Sequence, residues 1–350
     1  MGRTRIVAAA IVVALVVVGY GAWWLRAAGM MHRAIDAWVE THRAQGWHVD
    51  LEGVTVQGFP LRLEVVTQRF AIGRDLPARW RWTGPRLSAS LPPWIGHEVA
   101  LSFPGAHVLD YPGEDGPRVM LLQAGKAHGT ARIGDDGRVE SVAMTLETIQ
   151  ATLPGLGAAK VGTFELSIAG PSAPVASGAS DPHAPDAGRL SLAADGIELP
   201  ERVAPALGRH IDHATIQLAL KGAIPTAPTR AALESWRDAG GTVELERLQL
   251  NWGAFQLEAQ GAAALDASLQ PEGALTARAW GIGAAIDALV AAGEVRPREG
   301  ATAKVVLHTM AKPRTDQGIP PEVEAPFAVQ DGKLYLGPVP LARMPVIVWP

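Results

Sequence analysis

His210 and His213 are three residues apart, a spacing that puts two imidazoles on one face of a helix and suits two ligands of a zinc site. A tetrahedral site needs further ligands, and none converge on this pair, so an ordinary exposed turn without metal is expected. Asp135 and Asp136 would serve as general acid and base only if burial drove their pKa values apart. They sit between Gly134 and Gly137, where turn chemistry is the simpler account. Asp181 and His183 fall in a stretch without periodicity, a poor place to preorganise a site. The chain has no cysteine, which removes thiol catalysis, thiolate metal ligation and disulfides. It also lacks the Gly-x-Ser-x-Gly elbow, the His-Glu-x-x-His zinc motif, the P-loop and a dinucleotide fingerprint between strand and helix. The expectation is no enzyme, no catalytic residue, no cofactor and no metal site.

What remains is apolar chemistry. Tryptophan is abundant, with 11 residues against 3 tyrosines. Trp80, Trp82, Trp94, Trp252 and Trp280 all fall on or beside predicted strands, where core packing accounts for most of them. The sharper reading is a groove of large apolar side chains that accepts an acyl chain, as a curved sheet left open on its concave face would provide. Trp252, Phe255 and Leu257 are the candidate groove residues.

The totals permit this. A chain of 350 residues suffices for one large or two ordinary domains. Hydrophobic residues make up 48% and charged residues 19%, enough for a core and too apolar for wholesale disorder. The net charge of -4 and the lack of a basic block argue against nucleic acid as a partner, because phosphate binding needs clustered Lys and Arg. The 38 glycines and 27 prolines suit many short strands and turns.

Residues 6–25, IVAAAIVVALVVVGYGAWWL, are an uncharged apolar run of about 20 residues, long enough to span a bilayer as a helix. Arg3 and Arg5 precede it, Arg26 follows it, and Trp23 and Trp24 fall where an interfacial aromatic belt lies. The run exceeds the roughly 7–15 residues of a signal-peptide core and no Ala-x-Ala site follows. A transmembrane anchor over residues 6–25 after a cytoplasmic n-region at 1–5 is therefore expected, with export and cleavage near Gly19-Tyr20-Gly21 as the alternative. Arg26, Arg33 and Arg43 outnumber the basic residues before the span, which by count alone leaves the bulk in the cytoplasm. The short basic start points the other way.

Residues 26–46 read as an amphipathic helix, with Met31, Ala34, Ile35, Trp38 and His42 at helical spacing and Gly46 as the stop. From Trp47 onward strands dominate. Leu87-Ala89-Leu91, Val99-Leu101-Phe103, Ala127-Gly129-Ala131-Ile133, Leu248-Leu250-Trp252, Phe255-Leu257-Ala259 and Leu334-Leu336 alternate with polar or small neighbours. Asp136-Gly137, Asp195-Gly196, Pro271-Glu272-Gly273 and Asp331-Gly332 read as turns. Such alternation fits antiparallel sheets with one covered and one wet face. Helices are expected only at 200–208, 228–239 and 281–292. Residues 171–188, PSAPVASGASDPHAPDAG, read as a linker between a first β-rich half at 47–170 and a second at 189–350. The fold class is mainly β (α+β), with curved, mostly antiparallel sheets and a few packing helices after the transmembrane helix.

EGVTVQGFPLRLEVV, residues 52–66, reads as strand, turn and strand, with Gly58-Phe59-Pro60 as the reversal. Apolar parity changes between Val49-Leu51 and Val54-Val56, and a β-bulge at Gly53 would keep both halves on one core. The anchor, the amphipathic helix and this turn followed by Leu61 resemble the bacterial domain-of-unknown-function family 2125. So do Trp80-Arg81-Trp82, Gly84-Pro85-Arg86-Leu87, Pro93-Trp94, the run LNWGAFQLEAQGAAALDASLQPEGALTARAWG and the terminal DGKLYLGPVPLARMPVI. In style the family is similar to AsmA-type envelope proteins, which implies an inner-membrane anchor, a β-rich body in the periplasm and lipid handling. Two functions are then expectations: an uncharacterised, non-enzymatic envelope protein that binds or guides lipid along an apolar concave surface, or a structural or assembly scaffold that binds another envelope protein.

Overall fold

The structure, a computed structural model, describes residues 2–75, 79–92, 94, 97–113, 116–135, 138–170, 187–222, 229–310, 322–337, 339–344, 346–347 and 349. Nineteen strands and four helices lie among the described residues, and the strands pair antiparallel. The chain divides into two compact units, Met1–Val119 with His128–Arg138, and Met120–Ala127 with Val139–Pro350.

The first unit begins with α1 (Gly2–Ala44), one continuous helix of 43 residues. The sequence reading of an anchor at 6–25 followed by an amphipathic helix at 26–46 thus resolves into a single rod, stopped by Gly46 at φ 83°. Among the described residues no helix is long and apolar enough to cross a membrane. Side chains 2–10 and 12–14, which make up much of the apolar run, fall outside the described set.

Beyond α1 come β1 (Trp47–Glu52), β2 (Thr55–Gln57), β3 (Leu63–Thr67), β4 (Arg69–Arg74), β5 (Trp80–Gly84), β6 (Leu87–Leu91), β7 (Glu98–Ser102), β8 (Ala106–Gly113) and β9 (Gly116–Ile133). One ladder runs β1–β4–β5–β8, and another runs β2–β3–β6–β7 and on to the end of β9. Both contribute to the core: Val49 and Phe70 from the first, Leu63, Val66, Val99 and Ala131 from the second. The expected bulge at Gly53 is instead a break at φ 62°, and β1 and β2 pair with different partners. The parity change in the sequence marks a change of ladder.

In the second unit β10 (Val139–Leu153), β11 (Gly157–Ala169), β12 (Gly188–Glu198) and β13 (His210–Lys221) pair in sequence order. After α2 (Arg230–Asp238), β14 (Thr242–Trp252) joins β13, and β15 (Phe255–Leu265) and β16 (Pro271–Trp280) follow in turn. Then α3 (Ile282–Ala291) and α4 (Pro297–Met310) precede β17 (Val323–Gln330), β18 (Lys333–Leu336) and β19 (Val339–Arg343). Residues 171–186 of the expected linker lie outside the described residues, and the strands on either side of it, β11 and β12, are paired neighbours of the same unit.

Local chemistry accounts for the turns. Asp331 and Gly332 both have positive φ, 50° and 66°, as a two-residue hairpin turn demands. Asp195-Gly196, expected as a turn, lies inside β12 with Gly196 at φ 62°, so the strand continues through an irregularity. Pro271-Glu272-Gly273 opens β16 rather than turning; the reversal lies just before it, where Asp266 Oδ1 accepts from the amides of Ser268 at 2.7 Å and Gln270 at 2.8 Å. The Asp136-Gly137 turn lies outside the described residues. The helix expected at 200–208 is absent, replaced by two turns closed by Val203 to Pro200 and Gly208 to Pro205, because Pro205 cannot continue a helical ladder. The other two expected helices appear as α2 and α3, whereas α4 was not expected.

Candidate functional site

Strand register puts leucines from distant parts of the second unit side by side. Leu146, Phe164, Ala194, Ala214, Leu250, Leu257, Ala279 and Val323 form one cross-strand row from β10 to β17. Two positions along, Met144, Leu166, Leu192, Ile216, Leu248, Ala259, Ala277 and Ala325 form the next, and Val142, Ile168, Leu190, Leu218, Leu245, Gly261, Leu275 and Phe327 the third. Side chains two apart share a face, so these rows make one continuous surface without a polar side chain. The intervening row, Thr145, Glu165, Ala193, Thr215, Gln249, Glu258, Arg278 and Glu324, is polar on the opposite face. A register shift in β14 between Leu245 and Leu248 keeps both leucines on the apolar side.

This apolar face is sealed toward β15–β17, where Ala259, Ala277, Val323 and Ala325 are buried, and less covered elsewhere. Leu166, Leu192, Ile216, Leu248 and Leu250 are half-buried, and Ile168 is 47% exposed. Eight strands at a spacing of about 4.8 Å extend the face over roughly 34 Å across the strands. Hydrocarbon laid on it would gain about 0.8 kcal/mol for each methylene fully removed from water.

The candidate groove residues all fall on this face. Leu257 lies beside Leu250 in the first row, and Trp252 pairs with Phe255 where the β14–β15 hairpin turns. All three are half-buried, and the Trp252 indole donates to the Gly208 carbonyl at 2.8 Å, which holds the ring at that end. Near the opposite ends of β13 and β14, Trp236 of α2 donates to the Lys221 carbonyl at 3.0 Å. A Cβ on Gly241 would meet that indole at 2.2 Å, so only glycine admits the ring so close. Sequence reasoning found three residues of the face and missed the rest, since each strand shows its own alternation but not its neighbours.

The polar constellations are weaker. His213 Nδ1 donates to Asp195 at 2.7 Å and, in the neutral tautomer, its Nε2 accepts from the Thr215 hydroxyl at 2.7 Å. The distances match an acid–base–nucleophile chain, but accessibility runs backwards: Thr215 is only 9% exposed, while the Asp195 side chain is 57% exposed. The chain of bonds fixes a surface imidazole on the polar face. His210 pairs with Glu198 at 2.7 Å instead, so the two histidines do not converge. Among the described residues no group of three His, Cys, Asp or Glu side chains is placed to hold a metal ion.

In the first unit a cleft of about 830 Å³ is lined by Arg43, Trp47, His48, Arg74, Asp75 and Arg81, among others. Arg74 stacks over the Trp47 ring at 5.4 Å, and His48 donates to Asp75 at 2.7 Å. That hydrogen bond holds the Asp75 carboxyl below its ordinary value, with lesser help from the charges of Arg79 and Arg81. Gly58, Phe59 and Pro60 form the β2–β3 turn, where Gly58 has φ 101°. The turn meets α1: Trp24 donates to the Arg62 carbonyl at 3.2 Å, the Tyr20 hydroxyl donates to the Pro60 carbonyl, and Phe59 packs edge-on to Trp24 at 5.5 Å.

The family model described as "Uncharacterized protein conserved in bacteria (DUF2125)" matches residues 24–345. Neither the curated proteins nor the solved structures provide a match.

Proposed function

The chain belongs to this bacterial family, and from that premise we propose that it is a non-enzymatic envelope protein, anchored by α1 in the inner membrane with its bulk in the periplasm, that binds or guides lipid along the apolar face of β10–β17. The observation that carries the reading is the face itself: three adjacent cross-strand rows without a polar side chain, left only half-buried over β11–β14. A protein partner of ordinary composition brings polar groups that must be hydrogen-bonded when buried, and this face offers no side chain to bond them. Aliphatic chains have no such requirement. The anchor is supported by the uninterrupted helix and by Leu15, Val16, Val17 and Val18, all exposed along it. Tyr20, Trp23 and Trp24 follow at the position of an aromatic belt.

The test is a photoreactive benzoyl-phenylalanine in place of Phe164, on the apolar face, in cells that produce the full chain. A matched probe replaces Glu165 on the opposite face. Phospholipid adducts at position 164 and not at 165 are expected. Protein adducts at 164 would move the reading to an assembly scaffold, and the absence of lipid adducts there would end the lipid proposal.

A further inference from the structure

The β2–β3 turn carries apolar side chains that the core does not use. Phe59 is 52% exposed and Leu61 is 69% exposed, although both sit in a turn held firmly against α1. Two hydrogen bonds and two ring contacts hold it: the Trp24 indole on the Arg62 carbonyl at 3.2 Å, the Tyr20 hydroxyl on the Pro60 carbonyl, and the Phe59 ring against Tyr20 at 6.1 Å and Trp24 at 5.5 Å. Tyr20 and Trp24 are four apart on the helix, so they present one face to the turn. Trp24 is only 6% exposed beneath it.

The position of this clamp along α1 is informative. It falls at the C-terminal end of the apolar run, one turn beyond the exposed Leu15 to Val18 and level with Trp23, itself 45% exposed. Exposed Arg26 and Arg62 lie in the same zone, with Glu64 at 3.9 Å from Arg62 as the nearby acid. Aromatic rings, an apolar tip and flanking guanidinium groups at one level match the composition of a bilayer interface, with hydrocarbon on one side and phosphate on the other.

We propose that the β2–β3 turn docks Phe59 and Leu61 into the interfacial layer of the bilayer that α1 enters, so that the chain meets the lipid surface at two points fixed to one another. This rests on the membrane-anchor reading given above. The bonds from Tyr20 and Trp24 keep the turn at a set depth, and β2 and β3, the strands that leave it, start from that depth. Gly58-Phe59-Pro60 is then a membrane-contact element, and the partner it fits is a lipid surface.

The chain has no cysteine, so one introduced thiol carries one label. The full chain bearing Leu61→Cys is labelled with a fluorophore and reconstituted into vesicles of phosphatidylethanolamine and phosphatidylglycerol with nitroxides on the upper acyl chain. Gln45→Cys, just past the far end of α1 and roughly 30 Å from Trp24 along the helix, is the companion. The expected result is loss of most of the emission at position 61 and little at position 45. An unquenched label at 61 on vesicle-bound protein overturns the docking proposal and leaves the anchor standing. Failure of the protein to float with the vesicles overturns both. Leu61 is exposed, so its replacement removes no core packing, and an unchanged far-ultraviolet circular dichroism spectrum verifies the fold.

Discussion

Asp75 holds its charge to lower pH than an unpaired aspartate because His48 donates to it in the open, with neither group buried. A carboxyl whose folded pKa is depressed adds stability that is present above the ordinary carboxylate range and lost as pH falls through the folded value. A carbon-13 titration of the Asp75 carboxyl is expected to show a midpoint below that of an unpaired aspartate, and His48→Ala should move it back up. Full exposure makes the effect on global stability small. Phe70 is the opposite case, 1% exposed and packed edge-on to Trp82 at 4.8 Å. Phe70→Ala is expected to cost about 3–5 kcal/mol, read as a fall in the urea midpoint with an unchanged slope. The turn expected at the histidine pair is strand β13 instead, and three apart, which is one face of a helix, is opposite faces of a strand. On β13, His213 stands on the polar face while His210 bonds to Glu198, and no ligand set forms among the described residues.

Elements were legible where the cause is local. The alternation around Leu248-Leu250-Trp252 and Phe255-Leu257-Ala259 fell on β14 and β15, and Thr229 caps α2 by accepting from the Ala232 amide at 3.3 Å. Thr229→Ala should lower stability by about 1 kcal/mol in calorimetry, the usual worth of an N-cap. α4 escaped notice because its apolar residues are sparse in the first turns, although Pro297 at its start is a fitting first helical residue. The apolar face itself was only partly visible. Which leucine sits beside which is set by register between strands, and a single strand's pattern does not contain it. Because those leucines are only half-buried, Leu192→Ala should cost less than the roughly 2–5 kcal/mol of a buried leucine, while lowering lipid capture by the Phe164 probe.

At the scale of the chain, sequence reading gave the antiparallel β class and the family, but placed the division between halves at 171–188. The compact units divide instead along β9, whose Met120–Ala127 belongs with the second unit and whose His128–Ile133 pairs in the first. Strand pairings connect residues far apart in sequence in the first unit, such as Glu98 with Arg132, and composition carries no mark of them. The lipid proposal belongs to this scale as well. Removing apolar area from the middle of the face, as Leu192→Gln with Leu250→Gln would, should diminish lipid adducts at Phe164 without unfolding the chain, checked by circular dichroism.

From β10 to β19 every strand pairs with the one that follows it in sequence. A series built this way can be lengthened or shortened by one hairpin at a time. Two strands added together restore the running direction, and with matched turns the same parity, so every leucine stays on its side. One strand added alone would reverse the direction and leave the next turn at the wrong end. The span of the apolar face can therefore change only in steps of two strands if every leucine is to keep its side.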